Sequence, residues 1–455
     1  MSPATKRELK SSLSLAVPVI LANLGAMLLG VVDTIVVGRL GSIELSGVAA
    51  AGNLFWPMIV LGLGFLFATD TLVSQSFGAD NLRRAWRLLF QFSYACVPVS
   101  ILLMFLVWGL TSIYPHTGSD PATVAIAVPF GKLLVWTTPA VMFFSLLQRF
   151  WAALHIVTPF TVIMVLGNVL NLFGNLALVF GKFGCPELGV MGSAWSTFWS
   201  RLFMLALAIG FTLWKRRRFF GEALKRQGRF LEHHAIDWKM QKQILKIGVP
   251  GAGAFGLEAG LFAFTTFLAG RLGALDLAAH HVTLQIATMT FMVPMGLSNA
   301  AAVRVGKHIG ALRPASARLA GNLNIAIAVV FMAASGVVLL TFPSTILSWF
   351  VVDQEVIRRA LSITVFAASF QIFDGIQVTA GGCLRGIGNT HAPFFVNLVG
   401  HYPLGAVIAT VACFTFAQGL RGLWMGLTIG LLVVALSLLI IWIRTPDSRL
   451  RPQAV

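Results

Sequence analysis

Four acids stand in stretches of sequence otherwise too apolar to hold them: Asp33, Asp70, Glu258 and Asp374. Glu258 falls about halfway along an apolar run that starts near Gly248 and is long enough to cross a bilayer. A charge at that depth costs about 3 kcal/mol or more, so it is rarely there without a partner or a task. A carboxylate buried in this way favours its protonated form unless it meets a cation or a hydrogen-bond donor. It can therefore exchange a proton, a sodium ion or a cationic ligand at one place, which is what coupled exchange across a membrane requires. The plainer alternative is a structural acid paired with Arg or with backbone.

Glu258 lies roughly a dozen residues from the inner end of its run, and Asp374 about 14 from the outer end of its own. At about 1.5 Å per residue both are expected near mid-depth. Asp33 falls in the outer half of the first run. Asn168, Asn171 and Asn175 recur at i, i+3 and i+7, on one helical face. Such a stripe either bonds helix to helix or, with Asp33, forms an oxygen-rich site for an ion or a proton. Asp70, near the inner end of the second run, reads as solvated. His280-His281 reads as a surface pair able to add a pH-dependent charge, and His233-His234 as a solvated pair. The four cysteines, Cys96, Cys185, Cys383 and Cys413, show no paired spacing and read as reduced packing residues.

These acids need a membrane-spanning scaffold, and composition supplies one. Apolar residues make up 57% of the 455 and charged residues 11%, against roughly half and a quarter in soluble domains. Twelve apolar runs of spanning length are expected, near 13–37, 47–72, 88–112, 126–148, 158–181 and 190–214, then 247–268, 278–303, 319–343, 360–382, 393–416 and 420–443. Of the 33 Lys and Arg, 25 fall at the termini and in even-numbered loops, 7 on the opposite side, and Arg201 inside the sixth run. That bias places both termini in the cytoplasm. The net charge of +17 therefore reports membrane orientation and not nucleic-acid binding. The first run exceeds 20 residues without a small-residue cleavage site, and reads as a retained helix.

The chain is also duplicated. Shifting the numbering by 232 brings Val17, Pro18, Thr34 and Gly38-Arg-Leu-Gly41 onto Val249, Pro250, Thr266 and Gly270-Arg-Leu-Gly273. The register runs on to Gly78-Ala79 and Gly310-Ala311. This gives a six-helix N-terminal lobe over 1–214, a basic cytoplasmic linker over 215–246 and a six-helix C-terminal lobe over 247–455. The linker opens with Lys215-Arg-Arg-Arg218 and is expected to lie against anionic lipid. Parallel repeats of this kind put substrate and ion sites near mid-membrane. The acids are not duplicated with the scaffold: Glu258 and Asp33 answer to Ala26 and Thr265, so the halves differ in function.

Several motifs carry a family likeness. Val32-Asp-Thr-Ile-Val-Val-Gly-Arg-Leu-Gly41, Gln75 before Gly78-Ala79, and Leu384-Arg-Gly-Ile-Gly-Asn-Thr390 resemble the multidrug and toxic compound extrusion (MATE) transporters. Gly181-Lys-Phe-Gly-Cys-Pro-Glu-Leu-Gly189, Gly256-Leu-Glu-Ala259 and Gln371-Ile-Phe-Asp-Gly-Ile-Gln-Val378 look like the NorM branch. The likeness covers nearly the whole chain. It implies an all-α membrane protein of twelve helices in a V-shaped, two-lobe arrangement, exporting cationic amphipathic drugs and dyes in exchange for Na+ or H+. It also implies that Glu258 and Asp374 are the C-lobe cation acids, that Asp353 is a further acid linked to cation or substrate, and that Asp33, Asn171 and Asn175 form an N-lobe polar cluster. Asp70 departs from the pattern, which has an apolar residue there.

The expected protein is thus a monomeric multi-pass antiporter of a bacterial inner membrane. No cofactor is expected beyond the coupling ion, Na+ or H+, which Glu258 and Asp374 could hold. Its partners would be small organic cations and membrane lipid, not nucleic acid. The rings of Trp56, Trp136 and Phe291 could stack on a flat cation, although anchoring at the membrane interface is the commoner role. A flippase for lipid-linked precursors is the main rival, and would need a basic cavity for its headgroup. An enzyme is disfavoured because no H-E-x-x-H, G-x-S-x-G or nucleotide-binding loop occurs. A channel is disfavoured by two unlike halves without a filter-like segment.

Overall fold

The structure, a computed structural model, describes residues 2–226 and 235–452, and within these it leaves out the side chains of 217–226. Among the described residues all regular structure is helical. The helices are α1 Pro3–Gly38, α2 Ser42–Phe65, α3 Phe67–Gly78, α4 Leu82–Ile113, α5 Pro121–Val135, α6 Thr138–Ala153, α7 Thr158–Val179 and α8 Val190–Arg226. They continue with α9 Trp238–Leu272, α10 Ala274–Gly310, α11 Pro314–Thr341, α12 Pro343–Ser348, α13 Gln354–Leu361, α14 Thr364–Gly386, α15 His391–Val399, α16 Val407–Thr410 and α17 Gly419–Arg444. A π-helical turn, Gly400–Ala406, joins α15 to α16 and contains Pro403.

Among the described residues ten helical stretches are long and apolar enough to cross a membrane, and counting each of two bent pairs as one span brings the number to twelve. The bent pairs are α5 with α6, at 47°, and α13 with α14, at 58°. At the first bend Pro139 occupies the opening turn of α6, where a missing N–H disturbs no helical bond. At the second, Asp353 caps α13 by accepting from the Glu355 N–H at 2.8 Å. Each pair covers one run expected from the sequence, near 126–148 and 360–382. Of the expected linker, residues 227–234 with His233-His234 lie outside the described residues.

The first helix begins ten residues before its apolar run because its polar start is anchored. The Arg304 guanidinium donates to Glu8 through Nε at 2.8 Å and through Nη2, and both side chains are buried. His308 lies 3.2 Å from the same carboxylate. One turn on, Asn324 Nδ2 donates to the Ser12 hydroxyl at 3.1 Å.

The described residues form two compact units. One holds 21–69 and 81–246; the other holds 1–20, 70–80 and 247–455. The repeat alone would assign 1–20 and 70–80 to the N-terminal half, yet their contacts are with the C-terminal one. Thr71 Oγ1 donates to the Arg385 carbonyl at 2.6 Å and Gln75 Nε2 to the Gly386 carbonyl at 2.9 Å. Gly78 lies against the Lys307 carbonyl, and Gly310 against the Gln75 carbonyl. Under the 232-residue shift these are the same two positions exchanged, so α3 and the end of α10 cross about an approximate two-fold axis. A Cβ at either glycine would overlap a carbonyl oxygen.

Candidate functional site

Within the unit that contains 247–455, α9 supplies Glu258 and α14 supplies Asp374. Both are buried, 8% and 4% exposed, and they lie within electrostatic reach of one another. Helical spacing puts Gln371, Asp374, Gln377 and Val378 on one buried face of α14. Gln377 is the near polar neighbour of Glu258, and Arg385 is its near cation. Asp374 Oδ1 has no hydrogen-bond partner among the described residues, nor does either amide atom of Gln371. Two carboxylates brought together away from water with one oxygen unsatisfied form a site that favours taking up a cation or a proton.

The frame around Glu258 comes from α15 and the π turn. Asn397 Nδ2 donates to the Ala254 carbonyl at 3.1 Å, and the Tyr402 hydroxyl to the Leu257 carbonyl at 3.2 Å. A π turn widens the helix locally, and such turns recur at functional sites. It also carries His401, which is 1% exposed with neither ring nitrogen hydrogen-bonded among the described residues.

The other unit has its own carboxylate. Asp33 Oδ1 accepts from Asn175 Nδ2 at 2.8 Å and Asn171 Nδ2 at 3.2 Å, and its Oδ2 accepts from Thr197 Oγ1 at 2.6 Å. Arg201 lies within electrostatic reach and donates to Thr137 Oγ1. Of the asparagine stripe, Asn168 stands apart: it donates to the Gly25 carbonyl at 2.9 Å and packs α7 on α1. Asp33 is thus satisfied on both oxygens and faces a cation, unlike the pair on α9 and α14.

Asp353 is not brought to either cluster; it is exposed, as the cap of α13. Asp70 is only 2% exposed, so the expectation of a solvated side chain is wrong: α3 turns inward against α10 and α14. His280 is likewise fully buried, with Nε2 3.2 Å from Thr266 Oγ1 and its ring against Trp424, while His281 is exposed. Arg385, counted as a loop cation from the sequence, is inside α14 and 7% exposed. Thr197, Gln377, Arg385 and His401 were missed as site residues. Two carried a signal: Gln377 lies within Gln371-Ile-Phe-Asp-Gly-Ile-Gln-Val378, and Arg385 within Leu384-Arg-Gly-Ile, masked by its place at the end of an apolar run.

Residues 18–177 and 250–411 each match the model of one family, MatE, in the same tandem arrangement as the internal repeat. The chain belongs to the MatE family. Curated relatives include the probable multidrug resistance protein NorM of Mesorhizobium japonicum, 32% identical over 96% of this chain and 94% of the relative. Another is the multidrug resistance protein MdtK of Yersinia enterocolitica, 30% identical over 97% of each. Among solved structures, the eukaryotic MATE transporter AtDTX14 superposes with a TM-score of 0.89 at 25% identity, covering 98% of both chains. MatE proteins are transporters rather than enzymes, and the duplicated helical scaffold here is that of a MATE transporter.

Proposed function

We propose that this MatE protein is a secondary-active multidrug exporter that exchanges Na+ or H+ for cationic amphipathic compounds. The observation that carries the reading is the buried pair Glu258 and Asp374, with an Asp374 oxygen left without a hydrogen bond. Ion and drug compete for this pair, so loading one releases the other, and alternating access carries each across in turn. Asp33 with Asn171 and Asn175 forms a second polar cluster in the other repeat, and Asp353 an acid at the approach to α14. The chain works as a monomer in a bacterial inner membrane, both termini cytoplasmic, as lobes 1–214 and 247–455 joined by the basic segment 215–246. The names of its NorM and MdtK relatives support export of drugs.

The test is dye efflux from proteoliposomes under a sodium gradient and, separately, a proton gradient, for wild type, E258Q and D374N. Efflux driven by one gradient and lost in both folded variants supports the proposal and names the ion. Wild-type rates from folded E258Q or D374N, or no efflux under either gradient, overturn it.

A further inference from the structure

The described end of the basic segment, residues 235–246, is firmly held, and α9 starts within it at Trp238. Gln91 of α4 is the clamp. Its Nε2 donates to the Ala235 carbonyl at 2.9 Å, and its Oε1 accepts from the Asp237 N–H at 3.0 Å and from Gln241 Nε2 at 2.9 Å. Arg87 Nη2 donates to Asp237 Oδ2 at 3.2 Å, while Asp237 Oδ1 caps α9 by accepting from the Lys239 and Met240 N–H groups. All these residues belong to the unit that holds 21–69 and 81–246.

A helix held at its first turn presents fixed faces. Met240, Gln241 and Ile244 are buried, whereas Trp238, Lys239, Lys242, Leu245 and Lys246 are exposed. Spacings of three and four residues bring the three lysines into one row, with Trp238 and Leu245 beside it. Trp238 is 72% exposed and Leu245 47%. Among the described residues none of these lysines makes an ion pair, and Asp237, the acid of this stretch, is held by Arg87. Like charges at this spacing repel, and cations in the first turns of a helix oppose its dipole. The row therefore lacks a counter-charge. Lys246 stands at the foot of the apolar run that starts near Gly248, so the row lies where the helix leaves the membrane.

The first copy of the repeat shows what is particular to this face. The 232-residue shift takes Lys239, Lys242 and Leu245 to Arg7, Lys10 and Leu13, all exposed. It takes Trp238 to Lys6, Lys246 to Ser14 and Met240 to an acid, Glu8. The ring and the third charge are on α9 alone.

We propose that this face of α9 binds one anionic phospholipid, with the headgroup phosphate against Lys239, Lys242 and Lys246 and the acyl chains leaving past Leu245. Trp238 stands at headgroup level, the usual place of that ring at a membrane surface. Each basic residue near such a surface adds its own attraction, so three in a row select an anionic headgroup over a zwitterionic one. The exposed apolar side chains beside the row match a lipid and not a free phosphate. The site is separate from Glu258 and Asp374; only the choice of leaflet, the inner one, rests on the orientation proposed above.

The experiment is native mass spectrometry of the purified full chain titrated with phosphatidylglycerol or phosphatidylcholine. It compares wild type, K239Q/K242Q/K246Q, K242E and a control, R444Q/R449Q/R451Q, that loses three charges elsewhere. Wild type is expected to bind its first phosphatidylglycerol about tenfold or more tightly than phosphatidylcholine. Both lysine variants are expected to lose most of that preference, and the control to keep it. A wild-type ratio near one, a preference kept in the folded lysine variants, or an equal loss in the control overturns the proposal. Should the triple lysine variant fail to fold, K242E decides the matter. sn-Glycerol 3-phosphate, which has the phosphate without the chains, is expected not to displace the lipid at equal concentration; displacement would overturn the lipid in favour of a soluble phosphate.

Discussion

Gly78 lies against the carbonyl of Lys307, and the repeat-related pair, Gly310 and Gln75, meets in the same way. The crossing of α3 and α10 therefore rests on two glycines that answer to one another. Gly78→Ala and Gly310→Ala should each force the helices apart and destabilise the protein by about 1–3 kcal/mol, the usual penalty of overpacking. Thermal unfolding in detergent checks this. A variant at either position with an unchanged midpoint would show that the crossing yields more easily than its geometry implies.

The Glu8–Arg304 pair predicts that a double substitution costs less than a single one. Removing Glu8 alone leaves a buried guanidinium beside His308 and near Lys307, and E8A should lose about 3–5 kcal/mol. Replacing both by apolar residues, as in E8L with R304M, should restore most of that loss, because no charge remains to be desolvated. Equal losses in single and double variants would mean that packing, and not the uncompensated charge, sets the effect.

Thr197 supplies the hydroxyl that Asp33 Oδ2 accepts. Thr197→Val keeps the shape and deletes the donor, so it should cost about 1.5–3 kcal/mol, as expected for a hydrogen bond to a charged group. Thr197→Ser should keep most of the stability. Chemical unfolding of the two variants side by side decides it, and an unaffected T197V would remove Thr197 from the Asp33 cluster.

Tyr402 and Asn397 hold carbonyls of α9 just ahead of Glu258. Tyr402→Phe removes one neutral hydrogen bond worth about 1 kcal/mol. It should lower cation affinity by a few-fold at most while leaving the identity of the coupling ion unchanged. A switch of coupling ion in Y402F would give the hydroxyl a larger part than positioning.

What the sequence makes legible here follows from contrast. Glu258 and Asp374 stand out because a carboxylate in an apolar run has few reasons to be there, and the structure does bring them together. The twofold repeat is equally plain, since Gly and Pro positions keep their spacing across 232 residues. Arg385 is hidden because an Arg beside Gly at the end of a run looks like a loop residue; Ser298, on a helix far away in sequence, gives no such signal yet binds it inside the fold. Thr197 and Gln377 are hidden for a different reason. Hydroxyls and amides are tolerated in many membrane helices, so their partners are known only once the helices pack. Asp70 and His280 misled because nearness to the end of a run does not predict exposure where another helix covers that end.

The sharing of α1 between the two units has a consequence for the order of synthesis. Ile20 packs against Gly296, and Glu8 reaches Arg304, so the first helix made belongs partly with helices made last. At roughly 5–20 residues per second, translation reaches Gly296 only some tens of seconds after Ile20 has left the ribosome. Throughout that interval the start of the chain must wait in the bilayer with its docking surface not yet made.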